Sequence, residues 1–198
     1  MSQCNLEKFI YSISNQIPPQ QVKITNIKLS FKSDEKVELD NNACLQYYKR
    51  YILIAKYDNF TYTFLGNNKS HVNITGINSI ENVKTAIISL TYFSNLKLYN
   101  CSKFSIDNIS TTFKTHPGLK EIILNIKDSN FYIFKPLRFC GIIIKYNNNN
   151  NNNNNNKFSL TYFNSGRVIL VGLKNINDLN LCVRKYSTLF NYCKNLEK

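Results

Sequence analysis

Aromatic and basic side chains set into apolar segments are the residues of this 198-residue chain best suited to do chemistry. One such segment runs Phe139-Cys140-Gly141-Ile142-Ile143-Ile144-Lys145, and a fainter copy runs Lys49-Arg50-Tyr51-Ile52-Leu53-Ile54-Ala55-Lys56. The chain carries a formal net charge of +13 and has a pI near 9.5. Such a charge favours a polyanionic partner, either nucleic acid or an acidic protein, although a basic surface that is merely solvated would have the same charge.

Patterns for catalysis and metal binding do not occur in the sequence. His71 and His116 are the only histidines, and neither stands in a His-Glu or Cys-His pattern. There is no Gly-rich phosphate loop, and helix capping is the simpler explanation of the few acidic residues. The six cysteines are scattered, which argues for reduced intracellular thiols rather than a zinc site or disulfides. We therefore expect no enzyme, no cofactor, no metal and no small-molecule substrate.

The elements that must position the aromatic and basic residues recur once along the chain. Strands are predicted over residues 22–31, 51–57, 60–65, 71–75, 96–104, 131–134, 140–146, 158–163 and 168–171. Helices are predicted over residues 40–48, 79–93 and 118–126, and a last helix begins at Asn175 or Asn177. This order predicts an α+β fold in which the helices cover one face of an antiparallel sheet and leave the other face to a ligand.

The repeated order also sets the predicted domain organisation. Residues 1–21 form an extension, residues 22–94 a first repeat and residues 95–198 a second repeat of one pseudo-symmetric domain. Asn147 to Asn156 is a homopolymer, which predicts an exposed floppy loop at a hairpin tip. No apolar run approaches the ~20 residues that span a bilayer, so no membrane association is expected.

Two motifs of the second copy point to a family. They are Leu137-Arg138-Phe139-Cys140-Gly141-Ile142-Ile143 and Phe163-Asn164-Ser165-Gly166-Arg167-Val168-Ile169-Leu170-Val171-Gly172-Leu173-Lys174. In order and in duplicate, they resemble the TATA-box-binding protein family of eukaryotic and archaeal transcription initiation factors. The resemblance covers roughly residues 22–193 and is much stronger in the second copy. It implies a pseudo-two-fold saddle of antiparallel sheet with the helices on its convex face.

The resemblance also implies site residues. The family's aromatic wedges, which enter DNA from the minor groove, fall on Tyr51, Phe64, Phe139 and Phe163, although all four could instead be core aromatics. Base-edge contacts fall on Asn26, Asn100 and Thr75, because donors in the minor groove distinguish A·T from G·C. Phosphate contacts fall on Lys49, Arg50, Lys145, Lys157, Arg167 and Lys174.

The sequence departs from the family pattern in the floor of the DNA-binding face. Positions at which the family has apolar side chains carry Lys28, Asn73, Ser102, Ser159 and Thr161. A polar floor gains less when groove water is displaced. In addition, Tyr51 replaces a wedge phenylalanine and Val171 replaces the second-copy threonine.

The function implied by the resemblance is transcription initiation. Such a factor binds A·T-rich double-stranded promoter DNA and recruits factors like transcription factors IIB and IIA together with RNA polymerase. It acts in the nucleus, or in the host nucleus if the AT-rich coding reflects a large DNA virus. The alternative, which the polar floor favours, is a protein-interaction module of a transcription or assembly complex that keeps the saddle and has lost wedge insertion.

Overall fold

The computed structural model describes residues 3–14, 21–40, 44–127, 131–146 and 158–196. The strands are β1 (Lys23–Ser33), β2 (Cys44–Lys49), β3 (Ile52–Tyr57), β4 (Phe60–Leu65), β5 (His71–Ile77), β6 (Cys101–Lys114), β7 (Phe131–Phe134), β8 (Gly141–Tyr146), β9 (Ser159–Phe163) and β10 (Arg167–Leu173). The helices are α1 (Gln3–Ser14), α2 (Glu81–Ser89), α3 (Lys120–Asn125) and α4 (Ile176–Leu196), with 3-10 turns at Leu90–Tyr92 and Leu98–Asn100. The predicted Asn loop and Lys157 lie outside the described residues.

The chain divides into two compact units. Unit 1 consists of Met1–Ile17 and Thr25–Asn108, and unit 2 consists of Pro18–Ile24 and Ile109–Lys198. The predicted repeats at 22–94 and 95–198 therefore differ from these units in both boundaries. The first boundary falls inside β1 and the second inside β6, so each of these strands contributes residues to both units.

Within unit 1 the strands lie in the order β2-β3-β4-β5-β1, with the first part of β6 beside β1, and the printed pairings among them are antiparallel. Helix α2 packs on one face, where the Tyr62 hydroxyl donates to the carbonyl of Ala86 at 3.0 Å. Helix α1 is part of the predicted extension. Its Phe9 ring stacks on Phe104, which in turn stacks on Phe31.

Within unit 2 the strands lie in the corresponding order, β7-β8-β9-β10 and then the second part of β6, again antiparallel. The 21-residue helix α4 covers one face. Its Tyr186 hydroxyl donates to the carbonyl of Ile144 at 3.4 Å, and its Phe190 ring contacts Tyr162. The predicted α+β class, an antiparallel sheet with helices, is confirmed.

The last helix begins as predicted. Asn175 caps it, because its Oδ1 accepts the backbone N–H of Asp178 at 2.7 Å. Its Leu179, Tyr186 and Phe190 side chains are buried. Among the described helices, none combines the length and the apolar character needed to cross a membrane.

Two predicted elements are wrong. The helix predicted over 40–48 is replaced by strand β2, whose Tyr47 and Tyr48 are exposed; at a sheet edge, the strand lacks the buried alternation that identifies strands in a sequence. The strand predicted over 96–104 begins only at Cys101, after the 3-10 turn, and continues to Lys114.

Candidate nucleic-acid interface

Each unit has one sheet face packed against helices and an opposite, open face. In β8 the side chains of Ile142 and Ile144 are fully buried, whereas Ile143 and Lys145 alternate with them and are more exposed. Tyr62 of β4 is likewise fully buried against α2 and Thr63 is not. We call the face that carries Ile143 and Lys145 in unit 2, and Thr63 in unit 1, the open face of that unit. The predicted ligand surface corresponds to these two faces.

Phe139 and Phe163 come together on the open face of unit 2. Their ring centroids are 6.0 Å apart at an interplanar angle of 66°, an edge-to-face contact. Phe139 is 38% exposed and Phe163 is half-buried. Two adjacent, accessible rings held by a sheet are what wedge insertion requires, because a wedge must be rigid, flat and exposed.

The absence of a side chain at Gly141 determines where the Phe139 ring lies. Gly141 pairs with Phe163 across β8 and β9. A Cβ built on Gly141 would lie 2.8 Å from Cε1 of Phe139 and 2.7 Å from Cγ2 of Thr161. Only a residue without a side chain therefore allows the ring to lie over the strand beside Phe163.

Gly141→Ala should displace the Phe139 ring and lower the free energy of unfolding by about 1–3 kcal/mol through overpacking. Proton NMR should show that the contacts between the rings of Phe139 and Phe163 are lost. Adding Thr161→Ser, which removes the Cγ2 that the new methyl would meet, should restore part of the stability. An alanine variant with unchanged ring contacts would contradict this role of Gly141.

The predicted wedge at Phe64 is wrong. Phe64 is 0% exposed and pairs with Leu53 and Val72 inside the core of unit 1. Gly76 in β5 and Gly172 in β10 are equivalent residues of the two units. Both have a positive φ, of 89° and 95°. When the two units are aligned on these glycines, the antiparallel pairings place Leu65, not Phe64, at the position that Phe163 has in unit 2.

A shift of one residue explains the error, because neighbouring side chains of a strand point to opposite faces. The hairpin after β4 is longer than the hairpin after β9, so the aromatic residue nearest the turn is not the one on the open face. Leu65 is half-buried on that face and is a candidate position that sequence reasoning missed. The sequence signal for Leu65 is its distance from Gly76 along the two paired strands.

Tyr51 is 49% exposed, in the turn between β2 and β3. The guanidinium carbon of Arg50 lies 5.2 Å from the centre of its ring. The backbone around this turn is held by Lys69, whose Nζ donates to the carbonyls of Lys49 at 2.9 Å and Arg50 at 2.6 Å. Tyr51 is thus accessible, but its described ring contact is with a cation and not with a second wedge.

Asn26 lies on β1 beside the glycine turn of β5. Its Oδ1 accepts the backbone N–H of Gly76 at 2.8 Å, which orients the amide and leaves its NH2 group to donate. Thr75, also predicted to contact bases, is half-buried next to Gly76. These two predicted positions are close together in unit 1.

The structure does not bring Asn100, a predicted base contact, to the position that corresponds to Asn26. Asn100 ends a 3-10 turn before β6, and its Nδ2 donates to Oε1 of Glu35 at 2.7 Å. The counterpart of Asn26 is Asn108. Ile27 pairs with Ile77 and Ile109 pairs with Leu173, in each case the residue directly after the positive-φ glycine. The shared Asn-Ile pair was the sequence signal for it.

The predicted phosphate-binding residues that the structure describes are exposed: Lys49, Arg50, Lys145, Arg167 and Lys174. Lys145 and Arg167 belong to the open face of unit 2 by strand alternation, and the Lys145 ammonium lies 5.6 Å from the centre of the Phe134 ring. The ammonium of Lys49 lies 5.5 Å from the centre of the Tyr47 ring. Lys157 lies outside the described residues.

The polar floor that the sequence predicts is present as half-buried side chains. Lys28, Asn73, Ser102, Ser159 and Thr161 are all of intermediate exposure. The Oδ1 atom of Asn73 is buried and finds no hydrogen-bond partner among the described residues. The floor of unit 1 therefore holds polar groups in strands whose other face buries apolar side chains such as Ile27, Leu29 and Ile74.

The cysteines of the described residues include the free thiols Cys101, Cys140, Cys182 and Cys193. Burial raises the pKa of the Cys101 and Cys182 thiols to about 12, so they are protonated and inert at neutral pH. Cys140, in contrast, is exposed beside Phe139. Among the residues that the structure describes, no three His, Cys, Asp or Glu side chains gather into a metal site.

Comparison with known proteins finds a family that is similar to part of the chain. Residues 103–192 match the family model described as transcription factor TFIID (or TATA-binding protein, TBP). This part of the chain is therefore similar to the TATA-binding protein family. The matched residues lie in the second predicted repeat, where the sequence motifs are also stronger.

The fold of the TATA-binding protein family extends over nearly the whole chain. The solved structure of Methanococcus jannaschii TBP superposes with a TM-score of 0.64 and 20% identity, covering 88% of this chain and 99% of that one. No curated protein sequence is significantly similar to the chain. The chain therefore has a TBP-like fold, and its residues 103–192 also match the TBP family model.

Proposed function

We propose that the chain is a transcription initiation factor that binds A·T-rich promoter DNA in the minor groove. The observation that carries this proposal is the pair of accessible rings, Phe139 and Phe163, over Gly141 on the open face of unit 2. Inserting such rings unstacks base steps at a cost of a few kcal/mol per step, which is offset by the protein surface that the bent DNA then contacts. A buried pair could not do this, and this pair is accessible.

Donors on the open faces provide the preference for A·T. The oriented NH2 group of Asn26, together with Thr75 and Asn108, would donate to A N3 and T O2, the acceptors of the minor groove. The exposed cations Lys49, Arg50, Lys145, Arg167 and Lys174, together with Lys157, would hold phosphates. The first group reads base composition and the second positions the DNA without reading it.

The helices supply the surface for protein partners. Arg184 and Lys194 are exposed on α4, which covers the other face of unit 2. We assign to this side the recruitment of factors like transcription factors IIB and IIA and of RNA polymerase. The place of action is the nucleus, or the host nucleus for a viral protein.

A mobility-shift and bending assay tests this function. The chain should bind and bend an A·T-rich duplex and bind a G·C-rich duplex much less. With six phosphate contacts, the logarithm of the binding constant should fall with the logarithm of salt concentration with a slope of about −5. Equal binding to both duplexes would leave only a generic basic binder and would overturn the proposal.

The second candidate is a protein-interaction module that has lost wedge insertion. Unit 1 favours it, because Leu65 stands where unit 2 has Phe163 and a carboxylate, Asp107, lies on the open face. This candidate predicts that DNA is neither bent nor protected in the minor groove at ~100 mM salt, an ionic strength at which surface charge alone is largely screened.

A further inference from the structure

A connected polar cluster lies on the open face of unit 1 and consists of Lys28, Ser30, Ser105 and Asp107. The hydroxyl of Ser30 donates to Oδ1 of Asp107 at 2.8 Å, and the hydroxyl of Ser105 donates to the same oxygen at 3.2 Å. The two hydroxyl oxygens are 3.0 Å apart. The Lys28 ammonium lies 3.6 Å from the other carboxylate oxygen, Oδ2. The carboxylate is therefore held in one orientation by neighbours on two strands.

Asp107 has acceptor capacity left after these contacts. An ionised carboxylate offers about four lone-pair sites, and the contacts above use three. The side chain remains 33% exposed, whereas Ser30, which holds it, is only 6% exposed. The cluster thus presents to solvent an acceptor whose position is fixed from beneath.

The location of Asp107 indicates which ligand this acceptor faces. It lies in β6 two residues after Ser105 and contacts Ser30 and Lys28 of β1, which alternate with the buried Ile27, Leu29 and Phe31. An acceptor therefore lies on the face that the proposed function assigns to base edges.

Minor-groove chemistry allows only one base partner for such an acceptor. A·T pairs present only the acceptors A N3 and T O2, which a carboxylate cannot bind, whereas a G·C pair adds the N2 amino donor of guanine. Lys28 neutralises the carboxylate in part and so reduces its repulsion of the DNA backbone.

We propose that Asp107 is a specificity-determining residue that accepts a hydrogen bond from the 2-amino group of guanine, so that the preferred DNA site has one G·C pair within an A·T-rich sequence. This rests on the proposed minor-groove binding. At this position the polar floor then recognises a base, in addition to lacking an apolar contact.

The test is a scan in which a single G·C pair is moved along an A·T-rich duplex, in parallel with inosine·C. Inosine lacks the 2-amino group and otherwise presents the same edge. At one position the wild-type chain should bind the G·C duplex about tenfold more tightly than the inosine·C duplex, the value of one hydrogen bond to a charged group. This comparison needs no variant, so it does not depend on the folding of one.

Two variants test whether Asp107 causes the preference for guanine over inosine. Asp107→Asn should remove the preference for guanine over inosine, whereas Glu7→Gln, which removes an equal charge from α1, should keep it. Equal binding of G·C and inosine·C at every position, or a preference that survives Asp107→Asn, would overturn the inference while leaving minor-groove binding intact. Failure to bind any of these duplexes would overturn both.

Discussion

A Phe139→Ala, Phe163→Ala double variant should no longer bend A·T-rich DNA and should bind it about 100-fold more weakly. Two aromatic anchors at the centre of an interface are expected to contribute about 1–2 kcal/mol each. Fluorescence energy transfer between the ends of a short labelled duplex measures the bend, and a titration measures the affinity.

The double variant should fold normally, because both rings lie on the open face and not among the core side chains. Tyr192→Ala is the matched control, since Tyr192 is 56% exposed on α4 and faces away from the proposed interface. If the double variant bends DNA like the wild type, the wedge assignment is lost. If the wild type itself produces no bend, the protein-interaction module becomes the better description.

Phe64→Ala should lower the free energy of unfolding by about 3–5 kcal/mol, the largest effect on stability that we expect from a single change. Phe64 is 0% exposed, and its removal leaves a cavity between the neighbouring strands β3 and β5. Phe163→Ala, at the corresponding end of β9, should cost less than half as much. Urea denaturation of the two variants measures the difference.

The pair of variants also separates the core from the interface in unit 1. If Phe64 were a wedge, its alanine variant would keep wild-type stability and lose DNA affinity. Leu65→Ala, one residue further along, is the complementary control and should change stability by less than Phe64→Ala. A small loss of stability for Phe64→Ala would contradict its placement in the core.

The strands and the last helix were predictable because their patterns are local. Alternation of buried and half-buried residues marks β4 and β9, and Asn175 caps α4 as its sequence indicates. Strand β2 was misread because it is an exposed edge strand with a register shift between Leu45 and Tyr47, so no alternating pattern distinguishes it from a short helix.

The site was predictable only where the chain keeps the family spacing. Phe139 and Phe163 were found because the ten residues from Phe163 to Gly172 follow the motif. Phe64 was wrong because the longer hairpin after β4 shifts the register, and no local signal reports such a shift. Asp107 could not be recognised as part of a cluster, since its partner Ser30 is 77 positions away.

The division of the chain has a consequence for synthesis on the ribosome. Unit 1 is complete once Asn108 has emerged, but the buried Val22 and Ile24 belong to unit 2 and emerge before almost all of unit 1. At about 5–20 residues per second, these two side chains wait several seconds for the partners that cover them. Unit 1 can therefore fold during translation, whereas unit 2 must close around a segment made at the beginning.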